Sequence, residues 1–263
     1  MKVIPLKKFG QNYLIDKNII NKIIEEIAPA RTDRIVEIGP GTGALTFPLS
    51  REVDHLYAVE LDRRVIETLS SEIPNLTLFN EDFITADLRK LNPSGEKLRI
   101  VGNIPYNITS PILFKVLEER DIISDTVLMT QYEVAKRLSA KKDTKDYGIL
   151  SVILNAIAEI KFCFKISPNV FHPRPNVDSA LIHLFLNKDA SHIRDFALFI
   201  KIVKAAFGNR RKTLKNSFSH SIFADAQIQQ FPVDLTLRAE NLSTEDFVGL
   251  SNYLYDKGYR GLQ

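Results

Sequence analysis

The chain has 263 residues, 44% of them hydrophobic and 25% charged, the proportions of an ordinary globular protein, which exclude disordered, collagenous and coiled-coil architectures. Its formal charge of +3 is unevenly divided. Residues 1–187 hold 24 Lys+Arg against 24 Asp+Glu, whereas residues 188–263 hold 11 against 8.

Residues 1–9 carry three lysines with no apolar run or cleavage site behind them, so no secretory signal is expected. No stretch is apolar enough to span a bilayer, and a cytoplasmic protein is expected. Ile19, Ile20, Ile23, Ile24 and Ile27 then recur at helical spacing behind Asp16, a capping residue type, which predicts an amphipathic helix. Apolar runs at 34–39, 55–62, 76–82, 99–106 and 125–132 predict strands. The intervals between the first four leave room for crossovers, the third of which, at 87–95, carries Pro93 and reads mostly as loop. Helices are expected at 133–140 and 148–157, around a charged turn at 141–146. Strands at 159–166 and 178–186 flank a loop with Pro168, Pro173 and Pro175. The alternation predicts an α/β fold, a doubly wound seven-stranded sheet whose last strand is the one expected to run antiparallel. Cys163, the single cysteine, excludes internal disulfides and is read as a core residue.

Beyond Leu186 the strand signal stops. Phe196, Phe199, Ile200, Val203 and Phe207 make one helical stripe before Gly208, and short helices are expected at 210–218, near Asp225 and at 244–256. The chain therefore divides into an α/β domain, 1–187, and a small all-helical domain, 188–263. Lys201, Lys204, Arg210, Arg211, Lys212 and Lys215 stand in that tail with no acid among them. They are either a solvated helix face or a phosphate-binding surface, and the Arg-Arg-Lys run favours the second.

Three strand ends carry candidate ligand chemistry. Glu37 to Gly43, Glu-Ile-Gly-Pro-Gly-Thr-Gly, joins a strand to a helix, where Gly39 and Gly41 let the backbone turn tightly and approach a ligand. No third glycine follows at dinucleotide-fingerprint spacing. Glu60 ends the second strand, positioned to accept from ribose hydroxyls. Asp82 and Phe83 end the third, where a carboxylate can accept from an adenine amine beside a covering ring, although a lone Asp there is also a turn former. Together they point to adenosyl recognition of the kind seen in S-adenosylmethionine-dependent methyltransferases. The fourth strand ends in Asn103-Ile104-Pro105-Tyr106. The adenine amine is a weak nucleophile. An Asn carbonyl and a backbone carbonyl accepting from it favour a tetrahedral nitrogen, Pro105 stiffens the backbone, and Tyr106 offers a face to the base. Phe171, in the Pro-rich loop, is either the second face of a flipped adenine or a core plug. None of the five histidines has metal-ligand spacing to another, so no metal is expected.

Residues 8–14 (Lys-Phe-Gly-Gln-Asn-Tyr-Leu), Glu37 to Gly43, Glu60-Leu61-Asp62, Asn103 to Tyr106, Phe171 to Pro175 with Val177-Asp178-Ser179, and Arg210 to Leu214 together resemble, in order and across nearly the whole chain, the ribosomal RNA adenine N6-dimethyltransferases of the bacterial small-subunit type. The resemblance implies a Rossmann-like class I methyltransferase sheet and S-adenosylmethionine as cofactor. Its implied substrate is a pair of adjacent adenosines near the 3′ end of 16S rRNA in the immature small subunit. A monomer is expected, since nothing in the sequence demands a dimer. It places Gln11, Asn12, Leu14 and Leu61 with Gly39, Gly41, Glu60, Asp82, Phe83 and Asn103 around the cofactor, and Asn103, Pro105, Tyr106 and Phe171 at the reaction site. For RNA, Arg210, Arg211, Lys212 and Lys215 are expected first, then Arg137, Lys141 and Lys142. Tyr13 and Ile104 stand where the family more often has Phe and Leu. The competing readings are a large-subunit, antibiotic-resistance-type sister enzyme, and a mainly non-catalytic assembly or transcription factor.

Overall fold

The computed structural model describes residue 5 and residues 10–91, 95–226 and 230–261; Lys8, Phe9 and Pro93 lie outside the described residues. Two compact units are present. One runs through Ala135 and includes Lys161–Leu186; the other comprises Lys136–Ile160 and the residues from Asn187 onward. Residues 136–160 thus group with the C-terminal helices, where the sequence reading divides the chain once, at 187. Their packing explains it: Tyr147 meets Phe207 edge-on at 6.2 Å, and Arg210 donates to the carbonyls of Lys145 and Tyr147, each at 2.7 Å.

The first unit begins with β1 (Tyr13–Leu14) and α1 (Lys17–Ile27). Asp16 caps α1, accepting from the N–H groups of Asn18 and Ile19 at 2.9 and 3.0 Å. Ile23 and Ile27 bury its apolar face in a cluster with Ile35, Leu49, Val101 and Leu181. There follow β2 (Arg34–Ile38), α2 (Thr46–Glu52), β3 (His55–Val59), α3 (Arg63–Glu72), β4 (Leu76–Phe79), β5 (Leu98–Asn103), α4 (Thr109–Glu118) and β6 (Ile123–Gln131). After α5 (Tyr132–Leu138) and, in the second unit, α6 (Ile149–Asn155) come β7 (Glu159–Ile166), β8 (Phe171–His172) and β9 (Ser179–Phe185). The seven-stranded sheet has the order β4-β3-β2-β5-β6-β9-β7. The β2–β3, β3–β4, β2–β5 and β5–β6 pairs are parallel and β6–β9 is antiparallel, so the last strand runs antiparallel as expected, inserted between β6 and β7. The predicted strands 55–62, 76–82 and 99–106 each overrun the observed ones by three residues. Those residues are the loops that leave the sheet at its carboxyl edge.

The chain steps outward from β2 to β3 and β4, then returns to β5 on the other side of β2, so the order reverses between β2 and β5. The crevice at such a reversal is where open α/β sheets take ligands. The two strands approach closely there. Ile38 faces Gly102 in register, and a Cβ on Gly102 would lie 2.9 Å from the Ile38 carbonyl oxygen. Cys163 is half-buried against the core cluster; burial, then the charge of Glu26, push its thiol up to about 12, which suits a packing residue rather than a nucleophile.

In the second unit, α7 (Phe196–Phe207), α8 (Leu214–Ser219) and α9 (Thr244–Asp256) surround an aromatic core. Phe207 stacks on Phe247 at 5.9 Å, and Phe218 meets Phe223 and Phe231 edge-on. Ser243 and Asp246 cap α9 reciprocally. The buried stripe of α7 is Leu198, Phe199, Ile202, Val203, Ala206 and Phe207; Phe196 and Ile200 lie at its margin. The helix expected at 210–218 starts later, at Leu214, because the chain first turns, with Lys212 N–H donating to the Asn209 carbonyl at 2.9 Å. Among the described residues no helix is long and apolar enough to cross a membrane.

Candidate active site

The turn after β2 places Gly39, Gly41 and Gly43 at φ of +63°, +55° and +84°, a region that side-chain-bearing residues adopt at a cost. Its backbone lines an open cleft at the reversal point. Also lining that cleft are Gln11, Asn12 and Leu14 from the N-terminal loop, Glu60 and Leu61 after β3, Asp82 and Phe83 after β4, and Asn103 to Tyr106 after β5. Residues distant in sequence and predicted for the cofactor therefore converge.

Glu60 is only 8% exposed, and its Oε1 accepts from the Asp62 N–H at 2.8 Å. Burial holds its carboxyl above the ordinary value, against the pull of the Asp62, Gly41 and Leu61 N–H groups. Asp62 in turn caps α3, pairs with Arg64 at 2.5 Å and accepts from the Gln11 amide at 3.4 Å. These bonds tie the N-terminal loop to the end of β3. Asp82 Oδ1 accepts from the Ile84 N–H at 2.9 Å, so this carboxylate shapes its turn while it lines the cleft. Phe83 is buried beside it.

At the end of β5, Asn103 Nδ2 donates to the Asn12 carbonyl at 2.8 Å. That bond fixes the orientation of the amide and leaves Oδ1 as an acceptor. Tyr106 Oη lies 2.7 Å from Ser179 Oγ, and burial raises the phenol above its ordinary value, so the ring is kept neutral and anchored at its hydroxyl. Ser179 opens β9 opposite Gln131. The sequence reading gave it no role; its place in the Val177-Asp178-Ser179 run was the only signal. Nor does the sequence assign a role to Glu37. It is 2% exposed, lines the cleft, and its Oε2 has no hydrogen-bond partner among the described residues. Burial, then the charge of Glu60, push its carboxyl up to about 8 against the opposing Thr46 hydroxyl.

Phe171 does not line this cleft. It is 4% exposed, pairs with Leu14 between β8 and β1, and packs with Ile166 and Leu181, so of the two roles left open for it the core plug describes its position. In the second unit Arg137, Lys141, Lys142, Arg211, Lys212 and Lys215 are exposed. Arg210 differs. Besides its two carbonyl partners it lies 3.8 Å from Glu240, so its guanidinium fastens the 136–160 segment to the unit, a use the charge pattern did not reveal.

The family model for ribosomal RNA adenine dimethylase matches residues 6–256. A Francisella tularensis protein named ribosomal RNA small subunit methyltransferase A is 43% identical over 254 residues, covering 94% of this chain and 97% of its own. The crystal structure of a Plasmodium falciparum dimethyladenosine transferase superposes with a TM-score of 0.80 at 25% identity, covering 95% of this chain and 99% of that one. The 23S rRNA methyltransferase ErmE gives 0.68 at 27% identity, with 93% and 100% covered. The chain belongs to the ribosomal RNA adenine dimethylase family of methyltransferases.

Proposed function

We propose that this chain dimethylates the N6 amines of two adjacent adenosines near the 3′ end of 16S rRNA, using S-adenosylmethionine, on the immature small ribosomal subunit. It does so as a monomer in the cytoplasm. The observation that carries the reading is the Asn103 amide, anchored through Nδ2 to Asn12 at the rim of a cleft whose other strand ends hold Glu60 and Asp82. The residues fit an adenosyl donor. Glu60 is a fixed acceptor for ribose hydroxyls, Asp82 and Phe83 offer an acceptor and an apolar cover for the purine, and the turn at Gly39 and Gly41 allows close backbone approach. When bound, the donor supplies an electrophilic methyl group.

The chain's own part is positioning. Asn103 Oδ1 accepts from the target amine and turns its lone pair toward the methyl group; Tyr106, fixed by Ser179, stacks on the base and favours the positive charge that develops on the nitrogen. The alkylated nitrogen is acidic and gives its proton to solvent without a strong base. Phe171 closes the other face only if the β1–β8 pair opens when RNA binds. Exposed cations at Arg137, Lys141, Lys142, Arg211, Lys212 and Lys215 meet phosphates, with Arg210 contributing charge from its fastened position. The small-subunit substrate is favoured by the 43% identity to the Francisella tularensis protein; the likeness to ErmE keeps the large-subunit enzyme as the second reading. Labelled methyl transfer to small subunits lacking their dimethyladenosines, beside large subunits and naked 16S rRNA, tests the choice. Label in the small subunit is expected; label in the large subunit supports the second reading, and no label despite tight binding supports a non-catalytic assembly factor.

A further inference from the structure

Glu37 sits on β2, the strand between β3, which leads into Glu60, and β5, which ends in Asn103. In register it faces Ala58 and Val101, each two residues before one of those site residues. The fold buries its carboxyl at the floor of the cleft and gives Oε2 no partner among the described residues. A buried carboxyl in that condition is stable only if it is neutral or meets a counter-charge. Glu60 from the β3 side and the Thr46 hydroxyl from α2 are the groups that act on it, and neither is a cation.

In the reading above, on which this step rests, the ribose lies at the end of β3 and the target amine at the end of β5. The donor sulfur joins the ribose to the methyl group being transferred, so a donor held at those two ends would bring its positive charge nearest the intervening strand, β2, which carries Glu37. We infer that Glu37 is the counter-charge for the sulfonium, protonated in the free protein and ionised once a cationic donor fills the cleft, so that the cleft distinguishes the charged donor from its uncharged thioether product. The proton leaves to solvent. Glu37 then weakens its hold on the product because the cation it faced is gone, and the two ligands diverge further in affinity as pH rises toward 8.

Titration calorimetry of the full chain at pH 7, in two buffers of different ionisation enthalpy, counts the protons released on binding. S-adenosylmethionine is expected to release more than ~0.5 proton per site and S-adenosylhomocysteine less than ~0.2. In Glu37→Gln both ligands should still bind and that difference should vanish. Should this variant fail to fold, the wild type still decides: its affinity ratio should move by ~5-fold or more in favour of S-adenosylmethionine between pH 6 and pH 8. Equal release from both ligands, release from neither, a difference that survives in Glu37→Gln, or a constant affinity ratio would each overturn the inference. Binding of neither ligand would overturn the donor reading itself, and is distinguished by the absence of any heat.

Discussion

Replacing Glu37 by Gln should stabilise the ligand-free protein at alkaline pH and alter its stability far less in acid. The carboxyl titrates near 4.5 in the unfolded chain and at about 8 in the folded protein. Below pH 4.5 it is protonated in both states and its ionisation contributes nothing. As pH rises through 4.5, the unfolded chain gives up the proton while the folded protein keeps it until about 8, so the folded state binds more protons and stability falls across that window. At about 1.4 kcal/mol per pH unit, the loss reaches ~3 kcal/mol at pH 7. Gln does not titrate, and whatever its amide costs in packing is the same at every pH. The variant's advantage in unfolding free energy should therefore grow by about 3 kcal/mol between pH 5 and pH 8. Urea unfolding followed by circular dichroism measures it, the chain having no tryptophan to report by fluorescence. An advantage constant within ~1 kcal/mol would mean that Glu37 is already ionised in the folded protein, and would refute the reasoning for the free state and for the counter-charge alike.

Asn103→Ala should lower turnover by at least ~100-fold, the scale of losing an oriented polar group at a reacting centre, with RNA binding retained; near-normal turnover in a single-turnover assay would contradict the positioning role. Burial alone would raise the Asp125 carboxyl, but bonds from His183 at 2.8 Å and Arg99 at 2.8 Å, with Ser124, hold it at about 2. Its contribution, roughly 2 kcal/mol, is present above 3.8, the unfolded value, and is lost as pH falls through about 2. Asp125→Asn should cost ~3–5 kcal/mol at neutral pH by leaving Arg99 short of a partner, and its thermal stability should fall less steeply in acid than the wild type's. Joint replacement of Arg211, Lys212 and Lys215 by Ala should weaken RNA binding and flatten its dependence on salt with donor affinity unchanged, as filter binding across a salt series would show; a fall in donor affinity would contradict the surface placement.

The elements with several apolar residues at a fixed period were legible in the sequence. The isoleucines of α1 and the runs behind the seven sheet strands gave the α/β architecture because burial enforces the period. The loops after β2, β3, β4 and β5 were legible for another reason: glycine, acid and Asn-Pro combinations do specific local work whatever surrounds them. What escaped depends on partners far along the chain. β1 and β8 have two residues each, too few to show any period, yet their pairing seats Phe171 in the core. Ser179 acts on Tyr106 from 73 positions away. Arg210 reads as one more cation in a basic run until its carbonyl partners are seen. Glu37 opens the Gly-rich motif, but the motif gives the glycines their work and the acid none; burial and an unpartnered oxygen mark it. Residues 136–160 group with the C-terminal helices because their aromatic and apolar side chains find partners there, which a boundary drawn where strands cease does not register.

Whether the cleft between β2 and β5 presents the adenine amine to a methyl donor is tested most directly by the product nucleoside. Small subunits lacking their dimethyladenosines would be incubated with the protein and S-adenosylmethionine carrying a labelled methyl group, and the rRNA digested to nucleosides for mass spectrometry. Label is expected in N6,N6-dimethyladenosine, from adjacent positions near the 3′ end of 16S rRNA. Label confined to another base, or to a ribose hydroxyl, would contradict it.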